Sequence, residues 1–303
     1  MAGPITTGAH PKALWPGIHA WWGRQYNEHQ EEYPMLFDVV PSEQAYEEDT
    51  EITGFGLMPV KNEGSAIVYD TEQQGVVSRY THLAYALGYI VTYEELRDDL
   101  YEIVSKRRAQ ALAFSGRQTV ENVCSNVYNR AFNGNYTFGD GQTLISPNHP
   151  TMSGPQSNQL TTAADISEIA IEDLVIQIMQ ITNSRGLRVS VLPKSIHVAP
   201  QQWFEINRIL NSVLQNDTAG NATNILKAQG TIPEGPKLNH YFSSATAWFI
   251  RTNVPHGMTF FNREPATFDM DNDFDTKNAK AAQYLRFSVG LTDFRQIFGT
   301  QGV

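Results

Sequence analysis

Cysteine occurs once in 303 residues, at Cys124. A single thiol cannot build an intrachain disulfide framework, and it excludes a metal site made of several cysteines. Set within an apolar helical pattern, it reads as a small buried hydrophobe. No run approaches the roughly 18 consecutive apolar residues that a membrane span needs. The opening Met1-Ala2-Gly3-Pro4-Ile5 lacks the basic and apolar regions of a signal peptide, so the expected setting is a cytoplasm or an object assembled there. Basic residues are scarce: 22 Lys and Arg against 32 Asp and Glu leave a net charge of −10. That deficit argues against a chain whose main task is gripping phosphate, which needs clustered Lys and Arg. It suits a wall that must not adhere to nucleic acid.

Catalytic signatures are missing as well. There is no Gly-x-Ser-x-Gly elbow, no phosphate loop and no dinucleotide fingerprint; Gly54-Phe55-Gly56 lacks the third glycine and a following helix. The most site-like run, residues 269–275, places Asp269, Asp271 and Asp273 at calcium-loop spacing but has Phe274 where the loop needs Gly and Lys280 where it needs Glu. A solvated acidic loop is the better reading. His10, His19 and His29 have no His-x-x-x-His partner, and His149, His197, His240 and His256 are scattered beside prolines, strands and turns. A metal-dependent hydrolase built from these residues is the disfavoured reading from another class. No catalytic, cofactor-binding or metal-ligating residue is assigned, and no cofactor is expected.

What the sequence does contain is a sequence of distinct regions. Residues 1–38 are broken by Pro4, Pro11, Pro16 and Pro34 yet carry Trp15, Trp21 and Trp22. Such an arm must dock on something, either its own domain or a neighbouring subunit. Residues 39–82 read as a two-stranded excursion, with extended segments at residues 52–57 and 66–69 around a turn at Lys61-Asn62-Glu63-Gly64. A long helix over about 92–133 follows. Thr92 and Glu95 form a capping box, acids crowd its first turns, Lys106, Arg107 and Arg108 come later, and Ser115-Gly116 marks a possible bend. Its apolar residues include Leu96, Leu100, Ile103, Ala111, Phe114, Val120, Val123, Val127 and Ala131. At 1.5 Å per residue such a rod is roughly 60 Å long. Lys106-Arg107-Arg108 is read as a solvated or intersubunit ion-pairing face rather than a nucleic-acid site.

An α/β section follows. Asp165 with Glu168 is expected to cap a helix that buries Ile169, Leu174, Ile178 and Ile181 and ends at Gly186. A buried strand at residues 195–199 runs into Pro200 at the start of a helix burying Trp203, Phe204, Ile206, Leu210 and Val213. Residues 216–221 read as a loop. Further strands are expected at residues 247–250, 258–261 and 284–291, the last with one face exposed.

The order of these regions resembles the Hong Kong 97-type capsid proteins of tailed phages, a fold shared with encapsulin shells. The run Thr81-His82-Leu83-Ala84-Tyr85-Ala86-Leu87-Gly88-Tyr89-Ile90-Val91-Thr92 resembles their strand leading into the spine helix. Leu192-Pro193-Lys194-Ser195-Ile196-His197-Val198-Ala199-Pro200 resembles their axial-domain strand, and Leu285-Arg286-Phe287 through Asp293-Phe294-Arg295 their final peripheral strand. The resemblance implies an α+β fold with an N-terminal arm (1–38), an E-loop hairpin (39–82), a peripheral domain (83–150 and 266–303) with a spine helix, and an axial α/β domain (151–265). It implies a non-enzymatic major capsid protein forming hexamers and pentamers in an icosahedral head around double-stranded DNA, assembled in a bacterial host cytoplasm and residing in the virion. The implied partners are other copies of the chain, a separate scaffolding protein, a portal and decoration proteins. An encapsulin-type shell is the alternative. Trp15, Trp21, Trp22, Lys61, Arg107 and Arg108 are the assembly-contact candidates.

Overall fold

The computed structural model describes residues 22–24, 26, 30–98, 103–214 and 222–303. Trp15, Trp21, the three arm histidines and the loop at residues 216–221 lie outside the described residues, as do the side chains of Leu96, Leu100, Ile103 and Lys106.

Two four-stranded sheets and a two-stranded ribbon organise the chain. The first sheet has the order β1-β8-β9-β4, with β1 (Asp38–Pro41) parallel to β8 (Met258–Asn272), and β9 (Ala279–Leu291) antiparallel to both β8 and β4 (Leu83–Val91). The second runs β10-β7-β5-β6, built from β5 (Pro193–Val198), β6 (Pro236–Leu238), β7 (Trp248–Thr252) and β10 (Ile297–Thr300). The ribbon pairs β2 (Tyr46–Ile52) with β3 (Gln74–Thr81). Strand β9 buries Ala279, Ala281, Gln283, Leu285 and Phe287 and turns the alternate residues outward, the period-2 pattern of a half-covered strand. It begins five residues before the stretch that its sequence pattern marks.

The helices are α1 (Tyr33–Leu36), α2 (Tyr93–Asp98), α3 (Ile103–Asn129), α4 (Glu168–Gln180), α5 (Trp203–Asn211) and α6 (Ile225–Gln229). The hydroxyl of Thr92 accepts from the Glu95 amide at 3.4 Å, one half of the expected capping box. The Glu95 carboxylate instead pairs with Arg108. Helix α3 runs unbroken through Ser115-Gly116 and ends at Asn129. Gly116 is there for close approach, because a Cβ at that position would overlap the Gln283 side chain. The inward stripe of α3 is Ala109, Leu112, Ala113, Gly116, Arg117, Val120, Glu121, Cys124, Ser125 and Tyr128, whereas Phe114 is 45% exposed. Arg117, Glu121 and Ser125 lie on the buried face, so apolar periodicity alone rotates the reading toward Ala111 and Phe114.

The cap of α4 is Ser167, whose hydroxyl accepts from the Ala170 amide at 3.2 Å; Asp165 instead accepts from the Val303 amide. Ala170, Ile171, Leu174, Val175 and Ile178 are buried, but Ile169 is 72% exposed. The helix stops at Gln180, and Gly186 at φ +84° serves a separate turn beyond it. Before α5, Pro200 opens a single 3₁₀ turn. Ile206 and Ile209 face inward; Phe204, two residues from Ile206 and so on the opposite side, is 79% exposed. Val213 is exposed because the chain becomes extended at Ser212 and leaves the helical face.

One large core joins the C-terminal half of α3 to α4 and to both four-stranded sheets. At its centre Phe249 meets the rings of Tyr128 (5.2 Å), Phe242 (5.7 Å) and Phe132 (6.1 Å). Cys124 is fully buried there, as its setting suggested. A smaller cluster under the N-terminal half of α3 holds Trp22, Ala109, Leu112, Ala113, Phe268 and Ala281.

Candidate assembly surfaces

The ribbon leaves the body through a polar root. His82 Nε2 lies 3.1 Å from Ser42 Oγ and its Nδ1 lies 2.9 Å from Ser288 Oγ, while Ser42 donates to Glu47. The strands of the ribbon are nearer its base than the sequence pattern places them: residues 53–73 form no ladder, and cross-pairing ends with the bonds between Thr53 and Gln73. The physical reason is the composition of β2, whose Glu47, Glu48, Asp49 and Glu51 flank polar positions on both faces. Its ladder therefore rests on backbone bonds and surface contacts such as Arg79 over the Tyr46 ring at 4.1 Å.

Beyond the ladder the loop carries Phe55, Leu57, Met58, Val60, Ile67, Val68 and Tyr69, all exposed, with Met58 at 97% and Val60 at 92%. The turn at its tip, with Gly64 at φ +77° and the Ser65 amide bonded to Asn62 O, holds Lys61 in solvent. A contiguous set of large exposed apolar residues is uncommon on a monomer and marks a contact surface.

One clasp fixes this loop to its own body. Asp70 accepts from the Gly56 amide (2.8 Å) and from Arg185 Nη1 (2.9 Å), and Arg185 also donates to Thr71 O. Lower down, Glu51 accepts from Ser184 Oγ. The bonds to Gly56 and Thr71 and the neighbouring guanidinium hold the Asp70 carboxyl below its ordinary range. Arg185→Ala should raise exchange of the Gly56 and Thr71 amides, which bond Asp70, several-fold with no change in the α3 amides, read by hydrogen-exchange mass spectrometry. Unchanged exchange in the loop would remove the clasp from the account. Nothing in the spacing of Asp70 and Arg185 announces this pair in the sequence.

A second surface is the edge strand β4. Among the described residues no strand pairs with its outer edge, and Leu83, Leu87 and Ile90 are exposed along it. Its sequence contains no charged residue, a signal that could have been noticed.

Trp22 is buried within its own chain, stacked between Tyr26 (5.2 Å) and Phe268 (5.5 Å), with its indole N–H donating to Gln283. The intrachain alternative therefore describes this tryptophan. Arg107 is exposed; Arg108 makes the intrachain pair with Glu95 already described.

The acidic run is not a loop. Asp269 and Asp271 lie in β8, and Asp273 begins the hairpin turn, paired with Lys280 at 2.8 Å. Alternation along β8 turns Asp269 and Asp271 outward together. Among the described residues no three His, Cys, Asp or Glu side chains gather as metal ligands would. His149 and His197 are packed structurally: His149 bonds Asp140 and Asn158 and stacks on Phe294, and His197 lies 2.9 Å from Ser195 Oγ. Burial, with Arg251 and Lys237 nearby, drives the His197 ring down to about 3. No helix among the described residues is long and apolar enough to cross a membrane.

The sequence profile of a family described as phage capsid protein matches residues 75–299. No curated protein matches the chain. Solved structures similar to it include the capsid of the native GTA particle (TM-score 0.56, 10% identity, covering 90% of this chain and 91% of that one). A chain from Mycobacterium phage Patience has a TM-score of 0.54 at 11% identity, covering 99% and 89%. The virus-like particle from Pyrococcus furiosus has a TM-score of 0.52 at 12% identity, covering 94% and 98%. At such identities the likeness establishes the fold.

Proposed function

Because the chain belongs to the phage capsid protein family and has the Hong Kong 97-type capsid fold, we propose that it is the major capsid protein of a tailed phage, forming hexamers and pentamers in an icosahedral head around double-stranded DNA. The observation that carries this reading is the apolar loop at residues 53–73, whose large side chains are exposed. On an isolated enzyme such a surface is a liability; on a shell subunit it is half of an interface. The occupant that fits is another copy of the chain, whose uncharged β4 edge, with Leu83, Leu87 and Ile90 exposed, offers both backbone groups and apolar side chains.

The net charge of −10 supports a lumen that holds DNA without binding it by sequence. Separate scaffolding, portal and decoration proteins belong to the same proposal, as do assembly in the host cytoplasm and residence in the virion. So do the division into arm, E-loop, peripheral and axial units, and interface roles for Trp15, Trp21, Lys61 and Arg107. A second reading, a nanocompartment shell with protein cargo, draws on the similarity to the Pyrococcus furiosus virus-like particle over nearly the full length of both chains.

Electron microscopy of the chain expressed alone and with its phage neighbours tests the proposal. Closed shells of uniform diameter are expected, with nuclease-protected DNA in filled particles. Protein cargo in place of DNA would favour the second reading, and monomers under both conditions would overturn both.

A further inference from the structure

The buried stripe of α3 carries charge at Arg117 and Glu121 alone among the described residues, and Tyr26 and residues 31–33 meet it there. Glu121 is fully buried. Its Oε1 accepts from the Glu32 amide at 2.9 Å. That amide is a free N–H group at the start of α1, so Glu121 caps that helix from a neighbouring element. Its other oxygen has no hydrogen-bond partner among the described residues. One turn earlier, Arg117 pairs with Glu31, donates to Tyr26 O at 3.1 Å and covers the Tyr26 ring at 3.9 Å. From the segment after β6, His240 donates its backbone N–H to Glu32 at 2.9 Å and sets its Nδ1 2.5 Å from the same carboxylate.

Three elements therefore meet through ionisable groups. The segment before α1 brings Tyr26, Glu31, Glu32 and Tyr33; α3 brings Arg117, Glu121 and Cys124; the stretch after β6 brings His240 and Tyr241. With all acids ionised, the fully buried Glu121 carboxylate lies beside the carboxylates of Glu31 and Glu32 with Arg117 as their shared guanidinium, and one oxygen of Glu121 is left without a donor. A proton on that oxygen removes the mismatch and leaves the capping oxygen free to accept.

We infer that this junction is a proton-linked clamp that holds the arm-proximal segment to the spine helix and to the His240 loop, tightening as the medium acidifies through neutrality. The inference stands on the folded subunit and is independent of the shell reading. Burial, followed by the negative charge of Glu32, raises the Glu121 carboxyl to about 7 against the opposing amide bonds and Arg117. A carboxyl held above its unfolded value stabilises the folded contact below that unfolded value, about 4.3, and the contribution is lost as pH rises through 7. His240 also faces Glu32, and its share is separated by mutation.

The test is hydrogen exchange of the amides in residues 30–37, corrected for intrinsic pH dependence, between pH 5.5 and 8.5. The parent should gain protection progressively as the pH falls below 7, about thirtyfold by pH 5.5, since each pH unit between the two carboxyl values is a tenfold change in equilibrium. Glu121→Gln keeps the capping oxygen without the charge and should be protected at every pH, with that pH dependence gone. His240→Asn should keep it. A flat parent profile, an unchanged pH dependence in Glu121→Gln, or protection lost at all pH values in that variant would each overturn the clamp.

Discussion

Replacing Leu57, Met58 and Val60 together with aspartate should yield a subunit that melts like the parent and forms no shells. The three side chains are exposed on a stretch that pairs with nothing across the loop, so their removal takes nothing from the folded core, and surface changes of this kind stay within about 0.5 kcal/mol. In an assembly the balance reverses. Burying each large apolar side chain contributes roughly 1.5–3 kcal/mol, and the same loss recurs at every equivalent contact. Introducing a charge adds the cost of desolvating it without a partner. Thermal melts by circular dichroism should overlay under non-assembling conditions, while sedimentation velocity under assembling conditions should show the parent as large particles and the variant as small species. Shells from the variant at parental yield would show that the loop is not the adhesive surface.

Phe249→Ala should act in the opposite way, destabilising the subunit by about 3–5 kcal/mol, the usual cost of truncating a buried aromatic side chain. Phe249 lies on β7 with 2% exposure and contacts rings from α3, from the turn after it and from the segment after β6. The cavity left behind cannot close easily, because Tyr128 is held by its hydroxyl bond to Leu36 O at 3.0 Å. Urea unfolding of the subunit under non-assembling conditions measures the loss. A change below about 1 kcal/mol would mean that the second sheet is not anchored to α3 through this ring.

Much of this fold is legible in the sequence because it follows periodicity and punctuation. The spine helix, the strand before Pro200 and the alternating β9 segment all carry their own patterns. The errors share one cause: tertiary context outweighing local signal. Asp165 and Ser167 are both acceptable caps, and only the docking of the C-terminus on Asp165 separates them. Phe204 looks like a core residue until Ile206 and Ile209 fix the inward side of α5, and Val213 until the point where α5 ends is known. On α3 the true inward face includes Arg117 and Glu121, which any hydrophobicity rule assigns to solvent. Their partners are Tyr26, Glu31 and Glu32, far away in sequence. The exposed loop was visible as a hairpin, but not the clasp at Arg185, since an Arg–Asp pair more than a hundred residues apart leaves no local trace.

The uncharged outer edge of β4 also bears on the kinetics of supply. Natural sheets usually protect such edges with lysine, proline or a bulge, and the nine residues of β4 contain no charge and no proline. Two subunits that met β4 to β4 would stop as a two-fold pair, but β4 of one copy meeting the opposite edge, β1, of the next would extend one sheet head to tail, a geometry that grows as fibres instead of closing. Correct closure and open-ended growth therefore draw on the same pool of free subunits, and fast synthesis without a chaperoning neighbour should divert material into insoluble polymer.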